Sequence, residues 1–295
     1  MVYFTTRLHT QRLTILSPLS RPNKTRHASQ HMPDTPPHDG YMPDNSTLTA
    51  IPIPTLSPAM PGLACFASVS SVQAYWPRGH HGLSETEHEC ISRMIRAEDR
   101  VQRTAAHILK RRVLGHILGV SPECLEFYQD SNGRPFLHHP ESTLDFNISH
   151  AGNWVALSVI SRRDQACRTG VDVEAQRPQL DWTSLSKDFL SPAEIRIMNE
   201  LDYDQGRLFA LSRWSMKEAI VKATGEGLGA TLSTITPTVH ADGTFHCKNL
   251  HGYTIACDGH HVIGAAVFPN TVTAQIVRLD STGWMQATAH NPTTQ

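Results

Sequence analysis

None of the six cysteines, Cys65, Cys90, Cys124, Cys167, Cys247 and Cys257, falls in a Cys-x-x-Cys spacing. Neither a zinc ribbon nor a disulfide framework is therefore indicated, and a reducing cytosol is the simplest compartment. No apolar run approaches the roughly 18 residues that a membrane span requires, which argues for a soluble chain. Charge of one sign is missing too: a formal net charge of -1 over 295 residues leaves no global electrostatic footprint for nucleic acid. The 18 histidines are plentiful, but they cluster as His80-His81, His138-His139 and His260-His261 rather than at zinc-ligand spacing, and read as loop or surface residues. What remains is 39% hydrophobic, enough apolar material for one or two compact cores.

Residues 1–60 differ from the rest. They hold nine of the nineteen prolines among Ser, Thr and Asn, with few aromatics and no sustained apolar period, so a disordered extension is expected. The first 33 residues carry Arg7, Arg12, Arg21, Lys24 and Arg26 with no acid, which fits either a presequence or translation from an upstream start, with Met32, Met42 and Met60 as alternatives. From Gly62 a first strand begins. Ser84 to Glu87 matches a capping box opening a helical region that reaches Gly119. Ile91, Ile95, Val101, Ala105, Ile108 and Leu109 mark its apolar side. Arg93, Arg96, Arg100 and Arg103 form one basic stripe, which reads either as a solvated face partly neutralised by Glu98 and Asp99 or as an anion-binding face.

Thr169-Gly-Val-Asp172-Val-Glu174 places two carboxylates at i and i+2 on a Val-rich strand, so both point to one face. Such a pair repels unless a proton or cation lies between them, which suggests a divalent metal with oxygen ligands; an ordinary half-exposed strand shows the same alternation. Arg213-Trp-Ser-Met-Lys217-Glu218-Ala-Ile-Val-Lys222-Ala-Thr-Gly225 is helical, sets Glu218 and Lys222 one turn apart, and ends at a helix-stopping glycine. Gly133-Arg134-Pro135, after Asn132, reads as a turn. Ser149-His150 ends a strand from Leu144 and offers two donors for phosphate oxygens. Ser191-Pro192-Ala-Glu194 has the grammar of a helix start, which by itself explains Glu194. Gly225-Glu-Gly227-Leu-Gly229 lacks the Walker spacing and is a turn. Strands are expected at 234–239, 253–257 and 261–268.

In this order, Gly133-Arg134-Pro135, Phe146-Asn-Ile-Ser149-His150 with Trp154, Gly170-Val-Asp-Val-Glu174, and Trp214-Ser-Met-Lys-Glu218 with Lys222 resemble the Sfp-type 4′-phosphopantetheinyl transferases of the holo-acyl-carrier-protein synthase superfamily, over roughly residues 62–280. The resemblance implies an α+β fold of two similar, pseudo-twofold-related halves with the active site between them. The halves would run over 61–165 and 166–281, joined near 161–169, with a flexible tail over 282–295. It implies Mg²⁺ held by Asp172, Glu174 and Glu218, and coenzyme A contacted by Arg96, Arg103, Thr104, Arg134, Ser149, His150 and Lys222. His88 and Ile91 stand where some relatives carry lysines. The implied catalytic residues are Glu218, Lys222 and Glu194, with the serine proton passing to Glu218, Glu194 or a metal-bound water. The implied partner is an apo acyl or peptidyl carrier protein, and the chain is expected to be a cytoplasmic monomer. Alternatives are a non-catalytic coenzyme- or carrier-binding protein of the same fold, or a metal-dependent phosphohydrolase.

Overall fold

The computed structural model describes residues 53–75, 82–130, 133–138, 143–162, 167–177, 179–227, 230–258, 262–280 and 283–290. Residues 1–52 of the expected extension, Asn132 of the expected turn, Leu228-Gly229, and His80, His81, His139, His260 and His261 lie outside that range.

Along the first half, β1 (Gly62–Ser68) leads into α1 (Val69–Tyr75), α2 (Glu85–Ser92) and α3 (Ala97–Leu118). A small hairpin of β2 (Glu126–Gln129) and β3 (Pro135–His138) follows, and then the hairpin of β4 (Leu144–Ala151) and β5 (Trp154–Ser161). The second half repeats the plan with β6 (Gly170–Ala175), α4 (Trp182–Phe189), α5 (Pro192–Glu200) and α6 (Tyr203–Thr224). The strands β7 (Thr238–Val239), β8 (Thr244–Cys247), β9 (Leu250–Asp258) and β10 (Val262–Pro269) come next, and β11 (Ala274–Asp280) and β12 (Gly283–His290) close the described chain.

Two five-stranded sheets result, in the orders β12-β11-β1-β5-β4 and β6-β10-β9-β8-β7. In each half a long helix of 22 residues, α3 or α6, packs on its sheet and stops at a left-handed glycine, Gly119 (φ 66°) or Gly225 (φ 77°). This is the expected α+β architecture of two similar halves. The sheets share one core, in which Phe66, Trp154 and Ile160 meet Val171, Val173, Tyr253 and Phe268. A Cβ on Gly264 would overlap the Phe66 ring, so the bare glycine lets the second sheet lie against the first.

Several local expectations are realised through the forces that suggested them. Ser84 with Glu87, and Ser191 with Glu194, form reciprocal capping boxes, the second with Pro192 in the first turn. The helical region expected to reach Gly119 is interrupted at 93–96, however. Glu98 and Asp99 favour a fresh N-terminus there, and the Arg100 guanidinium donates to the Met94 and Ile95 carbonyls (2.6 and 3.0 Å) that a continuous helix would have used internally. The break resets the helical phase. Ile95 is consequently 95% exposed instead of lying on the apolar side, and Arg93 and Arg96 leave the stripe that carries Arg100 and Arg103.

The strand expected at 234–239 shrinks to Thr238–Val239 after a turn of 3-10 helix, whereas those expected at 253–257 and 261–268 extend to β9 and β10. Within the stretch expected as a tail, Gly283–His290 runs as a strand, because the outer backbone groups of β11 need partners.

Candidate active site

Each sheet ends in one strand at the junction of the halves, β4 in the first and β6 in the second. No backbone ladder joins these edges. Instead, a polar row on β4 accepts from alternate amides along β6 and the residue leading into it: Asp145 Oδ2 from Thr169 N–H (2.8 Å), Asn147 Oδ1 from Val171 N–H (3.1 Å) and Ser149 Oγ from Val173 N–H (3.4 Å). The period of two along both strands makes the match possible. Buried N–H groups at a strand edge are thereby satisfied.

On β6, Val171 and Val173 enter the shared core, so Asp172 and Glu174 face the other way, with Gly170. A Cβ on Gly170 would overlap the Ala219 carbonyl oxygen, so the glycine lets α6 settle directly on this face. Its last turns thus bring Glu218 and Lys222 to Asp172. The Lys222 ammonium donates to Asp172 Oδ1 (2.6 Å), to the Val171 carbonyl (3.2 Å) and to Ser149 Oγ (3.3 Å), while Ser149 Oγ–H donates to Asp172 Oδ1 (3.0 Å). One Glu174 oxygen accepts from the Trp214 indole N–H (3.1 Å).

Three acids and one lysine leave the cluster short of positive charge. Asp172 Oδ2 and both carboxyl oxygens of Glu218 are buried without a hydrogen-bond partner. Burial pushes the Glu218 carboxyl up to about 8, with Asp172 and Glu174 adding to the rise and Lys222 opposing it. Desolvation, then Asp172, pushes Glu174 up to about 7. Among the described residues no group of three or more His, Cys, Asp or Glu side chains is gathered tightly enough to hold a metal ion as it stands. The chemistry of the donors nonetheless suits a hard cation: carboxylate oxygens, three of which, Asp172 Oδ2 and both of Glu218, are buried without a partner.

Beside this cluster, His150 Nδ1 bonds Gln102 Oε1 (2.7 Å), and Gln102 Nε2 donates to the Gly152 carbonyl (2.5 Å). Burial holds the His150 imidazole down to about 3, and the neighbouring Arg103 and Lys222 charges add to the effect. Arg103 is half-buried, its Nε has no partner, and burial lowers its pKa. The structure thus brings together Asp172, Glu174, Glu218, Lys222 and Ser149, with His150 and Arg103 close by.

The other predicted residues stand differently. Arg96 is exposed at the start of α3, and Thr104 Oγ donates to the Arg100 carbonyl one turn back (2.8 Å). Arg134 turns its fork into the protein, toward Lys222 O, Asp145, Phe146 O and Thr169 O. Glu194 caps α5 and pairs with the fully buried Lys217 (2.6 Å), with Arg213 at 3.6 Å. Sequence reasoning gave no role to Gln102, Lys217, Asp145 or Asn147. The alternation Asp-x-Asn-x-Ser over 145–149 was the available signal for the last two.

A two-halved α+β fold with a carboxylate–lysine cluster at its seam defines the class. Residues 70–162 match the N-terminal 4′-phosphopantetheinyl transferase domain, and residues 168–273 match the 4′-phosphopantetheinyl transferase superfamily. The chain is similar to the 4′-phosphopantetheinyl transferase HetI of Nostoc sp., at 36% identity over 50% of this chain and 61% of that protein. It is also similar to Sfp of Bacillus subtilis, at 27% identity over 55% of this chain and 68% of that one, and to AcpT of Escherichia coli O157:H7, at 32% over 47% and 67%. The aligned region therefore spans under two thirds of HetI and about two thirds of the other two. The chain belongs to the 4′-phosphopantetheinyl transferase superfamily.

Proposed function

We propose that this protein transfers the 4′-phosphopantetheine group of coenzyme A to a serine of an apo acyl or peptidyl carrier protein, releasing adenosine 3′,5′-bisphosphate. The observation that carries the reading is the cation-deficient set of buried Asp172 and Glu218 with half-buried Glu174, facing Lys222, in a chain of this family. Asp172, Glu174 and Glu218 would hold Mg²⁺, whose charge, when bound, stabilises negative charge developing on the pyrophosphate.

The serine oxygen forms a bond to the β-phosphorus of coenzyme A as the bond to the bridging oxygen breaks, and that oxygen leaves with the adenosine bisphosphate. Lys222 supplies a fixed positive charge toward the same phosphates, held in place by Asp172 and Ser149. His150, kept neutral by its surroundings, donates or gains a proton when an anion arrives, because a nearby phosphate reverses the repulsion that Arg103 and Lys222 exert on its protonated form. Glu218 would accept the serine proton in preference to Glu194, whose Oε2 is committed to Ser191 N–H and Lys217 and whose Oε1 faces the Arg213 guanidinium at 3.6 Å. Arg96, Arg103 and Thr104 would meet the 3′-phosphate end of the coenzyme.

The working partners are coenzyme A and a carrier protein, with no nucleic acid or membrane. Among the described residues no helix is long and apolar enough to cross a membrane. A cytoplasmic monomer accords with free cysteines and with one chain supplying the whole cluster. The test is to incubate the full chain with coenzyme A, Mg²⁺ and a set of apo carriers and follow adenosine 3′,5′-bisphosphate by chromatography. Release that requires both carrier and metal supports the reading. Free phosphate released without a carrier favours a phosphohydrolase, and coenzyme binding with no release favours a non-catalytic binding protein.

A further inference from the structure

We propose that Arg134 is a positioning residue that locks Lys222 and Asp172 into place across the seam, and that it does not hold the coenzyme. This rests on the transfer function proposed above only for its kinetic consequence.

The Arg134 side chain is 9% exposed, and both terminal nitrogens of its fork are engaged, while Nε is buried without a partner. Nη1 donates to the Lys222 carbonyl (2.6 Å). Nη2 donates to Asp145 Oδ2 (2.7 Å), the Thr169 carbonyl (3.0 Å) and the Phe146 carbonyl (3.2 Å). These acceptors belong to three separate pieces of chain: β4, the residue leading into β6, and the last turn of α6. One planar group therefore fixes the end of the helix that carries Lys222 to the start of the strand that carries Asp172.

Asp145 completes the clamp. Its side chain is 1% exposed, and the same Oδ2 that takes Arg134 also accepts the Thr169 amide (2.8 Å), the first rung of the polar row between β4 and β6. The last rung is Ser149, whose hydroxyl bonds both Asp172 and Lys222. The ladder thus runs from the Arg134–Asp145 clamp at one end to the reacting cluster at the other. A fork with several simultaneous acceptors cannot be replaced by an ammonium, which presents a point charge on a flexible stem. A phosphate contact, by contrast, tolerates lysine well.

The experiment compares Arg134→Lys, Arg134→Gln and Asp145→Asn in the full chain, each checked by thermal melt. Asp145→Asn is the milder companion should an Arg134 variant fold poorly, and it removes no cation. Two readouts are taken. Amide hydrogen exchange, which needs no activity, should quicken at Thr169, Val171 and Val173 in all three variants while the buried middle of α3 stays protected. In the transfer assay kcat should fall roughly 10- to 100-fold in Arg134→Lys and in Asp145→Asn, as for other residues that orient a reacting group, while KM for coenzyme A moves less than about threefold. If Arg134→Lys keeps the wild-type kcat and exchange while Arg134→Gln raises KM for coenzyme A roughly tenfold or more, Arg134 is a phosphate contact and the proposal is overturned. Unchanged exchange at Thr169, Val171 and Val173 overturns it as well. A wild-type protein without transfer activity would sink the proposed function alone, because the exchange comparison still tests the clamp.

Discussion

Replacing Glu218 with Gln should make the metal-free protein more stable while removing its activity. The carboxyl ionises near 4.5 in the unfolded chain and near about 8 in the fold, with burial as the leading cause. For an acid whose folded pKa is raised, the unfolded state ionises first, so stability is lost progressively as pH rises from the lower value to the higher one and is constant above it. At pH 7 this sets a bound of roughly 3 kcal/mol, at about 1.4 kcal/mol per pH unit. Gln keeps the shape and cannot ionise, but its amide must still be desolvated, so a gain of about 2 kcal/mol is expected. For a chain of this size that is a rise in Tm of about 4–8 °C.

The assay is a pair of melting curves at pH 7, one in EDTA and one with excess Mg²⁺, accompanied by turnover. In EDTA the variant should melt above wild type, and the gap should close as pH falls toward 5. Mg²⁺ should raise the wild-type Tm and leave the variant nearly unmoved, with transfer lost. A variant that melts well below wild type in EDTA would refute the reasoning, because Glu218 would then be a satisfied structural acid. So would a variant that gains as much stability from Mg²⁺ as wild type does.

Other substitutions probe the surroundings of that carboxylate. Trp214→Phe keeps the ring that packs edge-on against Phe189 (4.9 Å between centroids) but removes the donor to Glu174. The Glu174 pKa should then rise above about 7, moving the acidic limb of the pH–kcat profile to higher pH with a loss of roughly 10- to 100-fold at neutrality; an unmoved limb would contradict the role given to the indole. Glu194→Gln should cost about 3–5 kcal/mol in denaturant melts, because Lys217 is left buried and unpaired, while turnover measured well below the melt stays within a few-fold. A collapse of turnover in a variant of normal stability would return Glu194 to the role of base. Gly170→Ala forces a methyl group onto the Ala219 carbonyl and should destabilise by at least about 1–3 kcal/mol; a neutral effect would mean that α6 need not lie so close to β6.

How much of this was legible in the sequence follows from how local each interaction is. Asp172 and Glu174 announced themselves through the period of two on a strand, Glu218 and Lys222 through one helical turn, and the capping boxes through a spacing of three. The break at 93–96 was hidden because neither glycine nor proline marks it; it depends on the Arg100 side chain folding back onto two carbonyls. Arg134 looked like a free cation in a turn, yet it bonds the carbonyl of Lys222, 88 residues further along the chain, a partnership that nothing near residue 134 encodes. The Asp-x-Asn-x-Ser row was visible as a polar face of β4, but the strand edge that it satisfies appears only when the two halves meet.

The central claim is tested most directly by intact-protein mass spectrometry of an apo carrier protein incubated with this protein, coenzyme A and Mg²⁺, with an EDTA control. The account predicts a mass gain of one phosphopantetheinyl group on the carrier serine that disappears with EDTA and with Glu218→Gln. A carrier of unchanged mass across acyl and peptidyl classes, while coenzyme A binds measurably, would contradict it.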